Sequence, residues 1–207
     1  MNNDKGMTRI LAVDASLNCP GFAVIECGPK RKPYLLLTCS VDNRKGIDPK
    51  TKTRKSTPQK LQEIGRTFHH LMLTYKPDII VRERGFMRYA ASTQQIYRVV
   101  GVLDLIAYDS FGMIFEEIPP TAVKQCIARD GQATKEIVAA NLSHYIGSHK
   151  YATDDESDAV AVAITCAIQH DVSHRWTESS HLAGFGIIKK KKRRKIPPKQ
   201  PVKSIGV

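Results

Sequence analysis

Long apolar runs are missing from this 207-residue chain. Nothing in it approaches the roughly eighteen consecutive apolar residues of a membrane-spanning helix, so no membrane partner is expected. The apolar stretch within MNNDKGMTRILAVD is too short for a secretory leader and is interrupted by Asp14, so the expected location is the cytoplasm. Cysteine is sparse and unpatterned: Cys19, Cys27, Cys39, Cys126 and Cys166 are an odd number with no C-x-x-C pair. That argues against a disulfide framework or a zinc knuckle and leaves buried free thiols as the reading. Acid is missing from the end of the chain. Ser179–Val207 holds nine Lys/Arg and no Asp or Glu, centred on KKKKRRK at Lys189–Lys195. Most of the net charge of +12 sits there, and the remaining body carries only about +3. Such a segment suits a polyanionic partner, although a targeting signal has the same composition.

What is present is a patterned α/β body. Three short apolar runs, at residues 8–13, Phe22–Glu26 and Tyr34–Val41, are separated by turn formers and predict an antiparallel meander. Residues 42–57 carry six Lys/Arg and read as a solvated, mobile loop. A helix is predicted from Pro58 to Tyr75, with Leu61, Ile64, Phe68 and Leu71 at spacings of three or four. PDIIV at Pro77–Val81 predicts a buried strand, Ser92–Asp109 a helix, and Met113–Ile118 a last strand. The Ser92–Asp109 helix stripes Ile96, Val99, Val100, Leu103, Ile106 and Ala107 along one side. Val102 and Leu105 fall outside that stripe, which is more apolar surface than one core contact needs. Helices follow from Pro119–Pro120, over Thr134–Tyr145 and from Asp154. The expected fold is a central mixed five-stranded sheet, a three-strand antiparallel meander plus two parallel strands, flanked by helices. Residues 1–171 form the expected domain and 172–207 a basic, disordered tail.

Acids occur where strands end. Asp14 closes the first run, Glu83 follows PDIIV in VRERGF, and Asp154, Asp155 and Asp158 open the last helix. Residues 155 and 158 share a helical face, though so do 154 and 158, leaving the choice between Asp154 and Asp155 open. Each acid also has a structural reading. Asp14 suits the start of a turn, Glu83 between Arg82 and Arg84 suits a surface ion pair, and T-D-D-E at Thr153–Glu156 is a capping box in its own right. If the two strands are neighbours under that helix, the carboxylates converge and need a cation. Hard oxygen donors suit Mg²⁺, with Mn²⁺ able to substitute. Two such ions about 4 Å apart can activate a water and stabilise the leaving oxygen of a phosphodiester.

The spacings resemble one family. DASLNCPGFAVIE, VRERGF, PPTAVKQCIARDGQATKE and DDESDAVAVAI occur in the order, and with the spacing, of the motifs of the RuvC family of Holliday-junction resolvases, over roughly residues 8–170. The resemblance implies an RNase H-like fold and a magnesium-dependent endodeoxyribonuclease that cuts four-way DNA junctions by paired symmetric nicks. It implies Asp14, Glu83, Asp155 and Asp158 as metal-binding catalytic carboxylates holding two ions. Lys124 and Lys135 would lie near the scissile phosphate. Phe86 would stack on an unpaired base, in a DNA-facing loop with Arg84, Arg88 and Tyr89; a core phenylalanine is its plainer reading. It implies a homodimer, for which the surplus apolar surface of the Ser92–Asp109 helix is the candidate face.

Three features depart from the family pattern. Arg129 stands where the first glycine of a G-x-G-x-A-x-K segment belongs, the loop at Asn43–Thr57 is longer, and the tail has no counterpart. An RNase H-like nuclease of forks, flaps or structured RNA would carry the same acids, and a non-catalytic junction-binding protein is the alternative outside enzymes. An actin-like or sugar-kinase domain opens similarly, but 207 residues leave no room for its second lobe.

Overall fold

The structure, a computed structural model, describes residues 6–28, 32–85 and 90–170. The tail expected at 172–207 therefore lies outside the described residues. Strands β1 (Thr8–Asp14), β2 (Gly21–Cys27) and β3 (Tyr34–Ser40) form the antiparallel meander, followed by helix α1 (Thr57–Tyr75) and strand β4 (Ile79–Glu83). Then come α2 (Ala90–Phe111), β5 (Glu116–Ile118), α3 (Pro120–Ala128), α4 (Lys135–Ile146) and α5 (Asp154–Gln169). The sheet order is β3-β2-β1-β4-β5, with β4 parallel to β1 and β5 parallel to β4. This is the mixed five-stranded sheet expected from the sequence. No helix of the described residues is long and apolar enough to cross a membrane.

Strand parity divides the core. Ile10 and Ala12 of β1, Ala23 and Ile25 of β2 and Val81 of β4 face α3, α4 and α5. Leu11, Val13, Phe22, Val24 and Ile80 face α1 and α2 on the other side. Helix α5 lies flat on the sheet because its inward positions alternate small and branched residues, Ala159, Val160, Ala163, Ile164 and Ala167, all 0% exposed. Gly65 does the same for the opposite layer, since a Cβ there would meet Ile106 Cδ1 of α2 at 2.9 Å.

Several boundaries move for local reasons. The PDIIV strand starts at Ile79, because Pro77 has no N–H and Asp78 is used as a clasp, its N–H bonded to Arg9 O at 2.9 Å and its carboxylate accepting from Arg9 N at 2.8 Å. The Met113–Ile118 strand shrinks to Glu116–Ile118. Met113 N bonds back to Ala107 O at 3.0 Å in the last turn of α2, so it is taken before the ladder begins. The loop at 42–57 is not simply solvated. Asp48 is buried and accepts the N–H groups of Lys50 (2.7 Å) and Thr51 (3.0 Å), and an Ile47–Arg54 bridge closes the loop. Its basic side chains nevertheless point outward, Lys55 alone excepted.

Arg129 ends α3 in the left-handed region, at φ 52°. Here the departure from glycine noted in the sequence has a backbone cost, because a Cβ is disfavoured at this position. Arg129→Gly is expected to raise unfolding stability by about 1 kcal/mol in urea denaturation with an unchanged slope; no gain in the midpoint would show that the Arg129 side chain compensates the strain.

Candidate active site

The carboxylate site follows from the parity just described. Asp14 is two residues beyond Ala12 and Glu83 two beyond Val81, so both point to the α5 face. In the parallel β1–β4 ladder the last pair is Val13 with Arg82; Asp14 and Glu83 are the next residue of each strand. On the other side, Asp14 pairs with Gly21 of β2. A Cβ on Gly21 would lie 2.0 Å from Asp155 O and 2.9 Å from Glu156 N, so only glycine lets the first turn of α5 rest on the strand beside Asp14.

The N-terminus of α5 is pinned from two directions. Thr153 caps it by accepting from Glu156 N at 3.3 Å. The Glu156 carboxylate, 5% exposed, accepts from Ser40 Oγ of β3 and from Ala152 N, each at 3.0 Å. Glu156 is therefore a positioning residue that fixes where Asp155 and Asp158 emerge. The sequence showed its capping box but not its reach to β3, a contact across 116 residues.

The charges feel one another. Burial first, then Asp158 and Glu83 and more weakly Asp155, push the Asp14 carboxyl up to about 8, with Lys135 pulling the other way. Glu83 and Asp158 are also raised, again mainly by burial; Lys135 and Lys124 oppose the rise at Glu83, and Lys135 opposes it at Asp158. Of the two candidate acids opening α5, Asp155 is the one within electrostatic reach of Asp14, Cys19 and Lys135, whereas Asp154 is exposed.

Lys124 sits within α3, and Lys135 follows the turn after it. Gln132 N bonds Asp130 Oδ1 at 2.9 Å, Ala133 N bonds Asp130 O at 2.9 Å, and Lys135 then opens α4. Its ammonium pairs with Asp158. Burial works against the Lys135 charge, but the Asp158 hydrogen bond and the attraction of Asp158, Asp14 and Asp155 outweigh it and raise its pKa. Lys124 and Lys135 line a small cleft with Glu83 and Asp158.

Strand alternation sends Arg82 and Arg84 away from Glu83, so the surface ion pair that its neighbours suggested does not form. Arg82, 7% exposed, binds Asp104 and Glu117 beneath α2 and lies 4.9 Å over the Phe115 ring. Arg84 is exposed and 3.4 Å from Glu117. Phe86, Arg88 and Tyr89 lie outside the described residues. Sequence reasoning missed Arg44, whose exposed guanidinium is clasped by Asp42 (2.9 and 3.0 Å) within electrostatic reach of Asp155. A lone basic residue in a basic loop gives no signal of that proximity.

The family described as "Crossover junction endodeoxyribonuclease RuvC" matches residues 10–166. A protein of that name from Synechococcus sp. (strain WH7803) is 27% identical over 158 residues, spanning 76% of this chain and 96% of its own length. Another from Prochlorococcus marinus subsp. pastoris (strain CCMP1986 / NIES-2087 / MED4) is 29% identical over 159 residues, 76% and 94% of the two chains. Among solved structures, T. thermophilus RuvC in complex with a Holliday junction substrate superposes with a TM-score of 0.68 at 21% identity, covering 79% of this chain and 94% of that one. The yeast mitochondrial Holliday junction resolvase Ydc2 gives 0.58 at 12% identity over 85% and 84%. At these identities the two structures speak for the fold.

The electrostatics set a pH dependence. Folded Asp14 holds its proton up to about 8, against 3.8 for a free aspartate side chain, so the folded state binds more protons across that window and loses stability as pH rises through it. In EDTA the melting temperature is expected to fall between pH 5 and pH 9. Asp14→Asn should flatten that fall and melt higher than the wild-type chain at pH 9. A variant that melts lower at pH 9 would remove the case for repulsion at this position.

Proposed function

The chain belongs to the RuvC family of crossover junction endodeoxyribonucleases, enzymes of Holliday junctions, and from that premise we propose how it cuts. The observation that carries the reading is the meeting of Asp14, Glu83, Asp155 and Asp158 under the first turn of α5, with Lys124 and Lys135 beside them. All four donors are hard oxygens, and burial has left Asp14 a carboxyl whose ionisation near neutral pH a nearby cation would favour. The residues thus fit two divalent ions, Mg²⁺ with Mn²⁺ as substitute. Such ions, when bound, activate a water and stabilise the leaving oxygen of an in-line displacement at phosphorus.

The chain's own groups do the rest. Asp14 and Glu83 form a fixed edge, because both sit on strand ends that cannot shift without breaking the β1–β4 ladder. Asp155 and Asp158 close the site from above on a capped helix. Lys135, released from Asp158, offers its ammonium to a non-bridging oxygen of the scissile phosphate, and Lys124 adds a second positive charge across the cleft. Arg84 meets backbone phosphates at the rim, and the loop of Phe86, Arg88 and Tyr89 engages the branch point, Phe86 by stacking on an unpaired base. Residues 1–171 are the nuclease domain, and the basic segment 172–207 adds phosphate contacts. The enzyme works on cytoplasmic DNA.

Paired nicks need two sites, and we assign a homodimer. Tyr97, Leu105 and Tyr108 of α2 are 56%, 68% and 69% exposed and share one stripe with Gly101, where a Cβ would meet none of the described residues beyond its own helix within 4 Å. Large apolar side chains around a notch suit a self-complementary two-fold contact.

Incubation with a synthetic four-way junction, a fork and a linear duplex, in Mg²⁺ or EDTA, tests the activity. Symmetric paired nicks on the junction in Mg²⁺ are expected, with Asp14→Asn slowing cleavage by about 10³-fold or more while junction binding survives. Cleavage of forks alone would replace the substrate, and binding without cutting would refute catalysis. Light scattering at micromolar concentration should give a dimer for the wild-type chain and a monomer for Leu105→Glu, with paired nicks reduced to single ones. A wild-type monomer would dismiss the α2 face.

A further inference from the structure

Helix α5 carries hard oxygen donors at its N-terminal end and a different set at the other. Cys166 and His170 are four residues apart and so project from one helical face at its C-terminal end. Facing them is Glu116, the first residue of β5. His170 Nε2 lies 2.7 Å from Glu116 Oε2, and Cys166 Sγ lies 4.0 Å from the same oxygen. One donor atom from each residue falls within 4.8 Å of the others. Among the described residues it is here, rather than at the carboxylate site, that three donors stand so close. The reason is electrostatic: a thiol, an imidazole and one carboxylate do not repel, whereas four carboxylates do.

The surroundings suit an ion. Cys166 is 0% exposed and closes the inner side, while the His170 and Glu116 side chains are 39% and 44% exposed and leave an entry from solvent. An ordinary His–Glu pair accounts for two of the three groups, but not for a buried thiol directed at the same carboxylate oxygen.

We infer that Glu116, Cys166 and His170 form a Zn²⁺ site with water as fourth ligand. Sulfur, nitrogen and oxygen donors together select a borderline ion over Mg²⁺, and three protein ligands plus solvent complete a tetrahedron. Ligand bonds of about 2.0–2.3 Å place neighbouring donors about 3.3–3.8 Å apart, within an ångström or so of the separations seen. On binding, the Cys166 S–H proton leaves to solvent and the thiolate binds the ion, so charge and protons balance. The eleven residues from Asp155 to Cys166 span about 16 Å of helix, which separates this site from the carboxylates. Its place gives it a role. Strand β5 is three residues long and, among the described residues, pairs with β4 alone, Ile118 opposite Glu83. An ion shared by Glu116 and α5 would clip this edge strand to the helix that carries Asp155 and Asp158.

The test uses the full chain stripped with EDTA and titrated with Co²⁺, a spectroscopic stand-in, then with Zn²⁺ in competition. One equivalent of Co²⁺ should give tetrahedral d–d bands and a near-ultraviolet thiolate-to-metal transition, both displaced by Zn²⁺. Cys166→Ser should abolish the thiolate transition, and His170→Gln should weaken binding by more than about tenfold. Asp14→Asn should leave both unchanged. No thiolate transition, or one unaltered in His170→Gln, overturns the assignment. His170 lies at the surface, so that variant decides the matter even if Cys166→Ser fails to fold.

Discussion

Everything at the candidate active site depends on desolvated like charges held at the end of a parallel strand pair. Asp14 and Glu83 share a face because each is an even number of residues beyond a core position, and they share a height because β1 and β4 run in register. Such an arrangement resists itself. It persists because the scaffold is stronger: fully burying one Val or Ile contributes about 1.5–3 kcal/mol, and α5 commits Val160 and Ile164 to the sheet at 0% exposure. Lys135 reduces the remaining repulsion through Asp158.

Much of the fold was legible because its signals are local or periodic. The meander, the helices and the strand-end acids all follow from runs, turns and spacings within a dozen residues. The β5 strand was overextended because the competing bond, Met113 N to Ala107 O, closes α2 and has no pattern of its own. The loop at 42–57 looked solvated because composition cannot reveal that Asp48 would organise it.

The site was legible in its donors and illegible in its supports. Asp14, Glu83, Asp155 and Asp158 announce themselves as charges beside apolar runs, and their order resembles one family. Gly21 carries no signal of its own in the sequence, because its part, admitting the Asp155 carbonyl against β2, is a contact between residues 134 positions apart. Glu156 looked like a helix cap and turns out to hold β3 as well. That Asp155 is half-buried while Asp154 is exposed depends on the direction of the helix face, which only packing supplies. Arg82 misled as a neighbour of Glu83, since alternation sends it to the opposite layer. The Glu116–Cys166–His170 grouping escaped because one donor is fifty residues from the next.

The parity of β1 and β4 restricts how this chain can change over generations. One residue inserted or deleted inside either strand would rotate its terminal acid into the layer of Leu11, Val13 and Phe68, away from α5. Both strands are thereby frozen in length, and compensation in one cannot rescue the other. The connection between β3 and α1 has no such obligation, for it joins the sheet to a helix on the layer that carries none of the four site acids. Length variation is therefore best tolerated there.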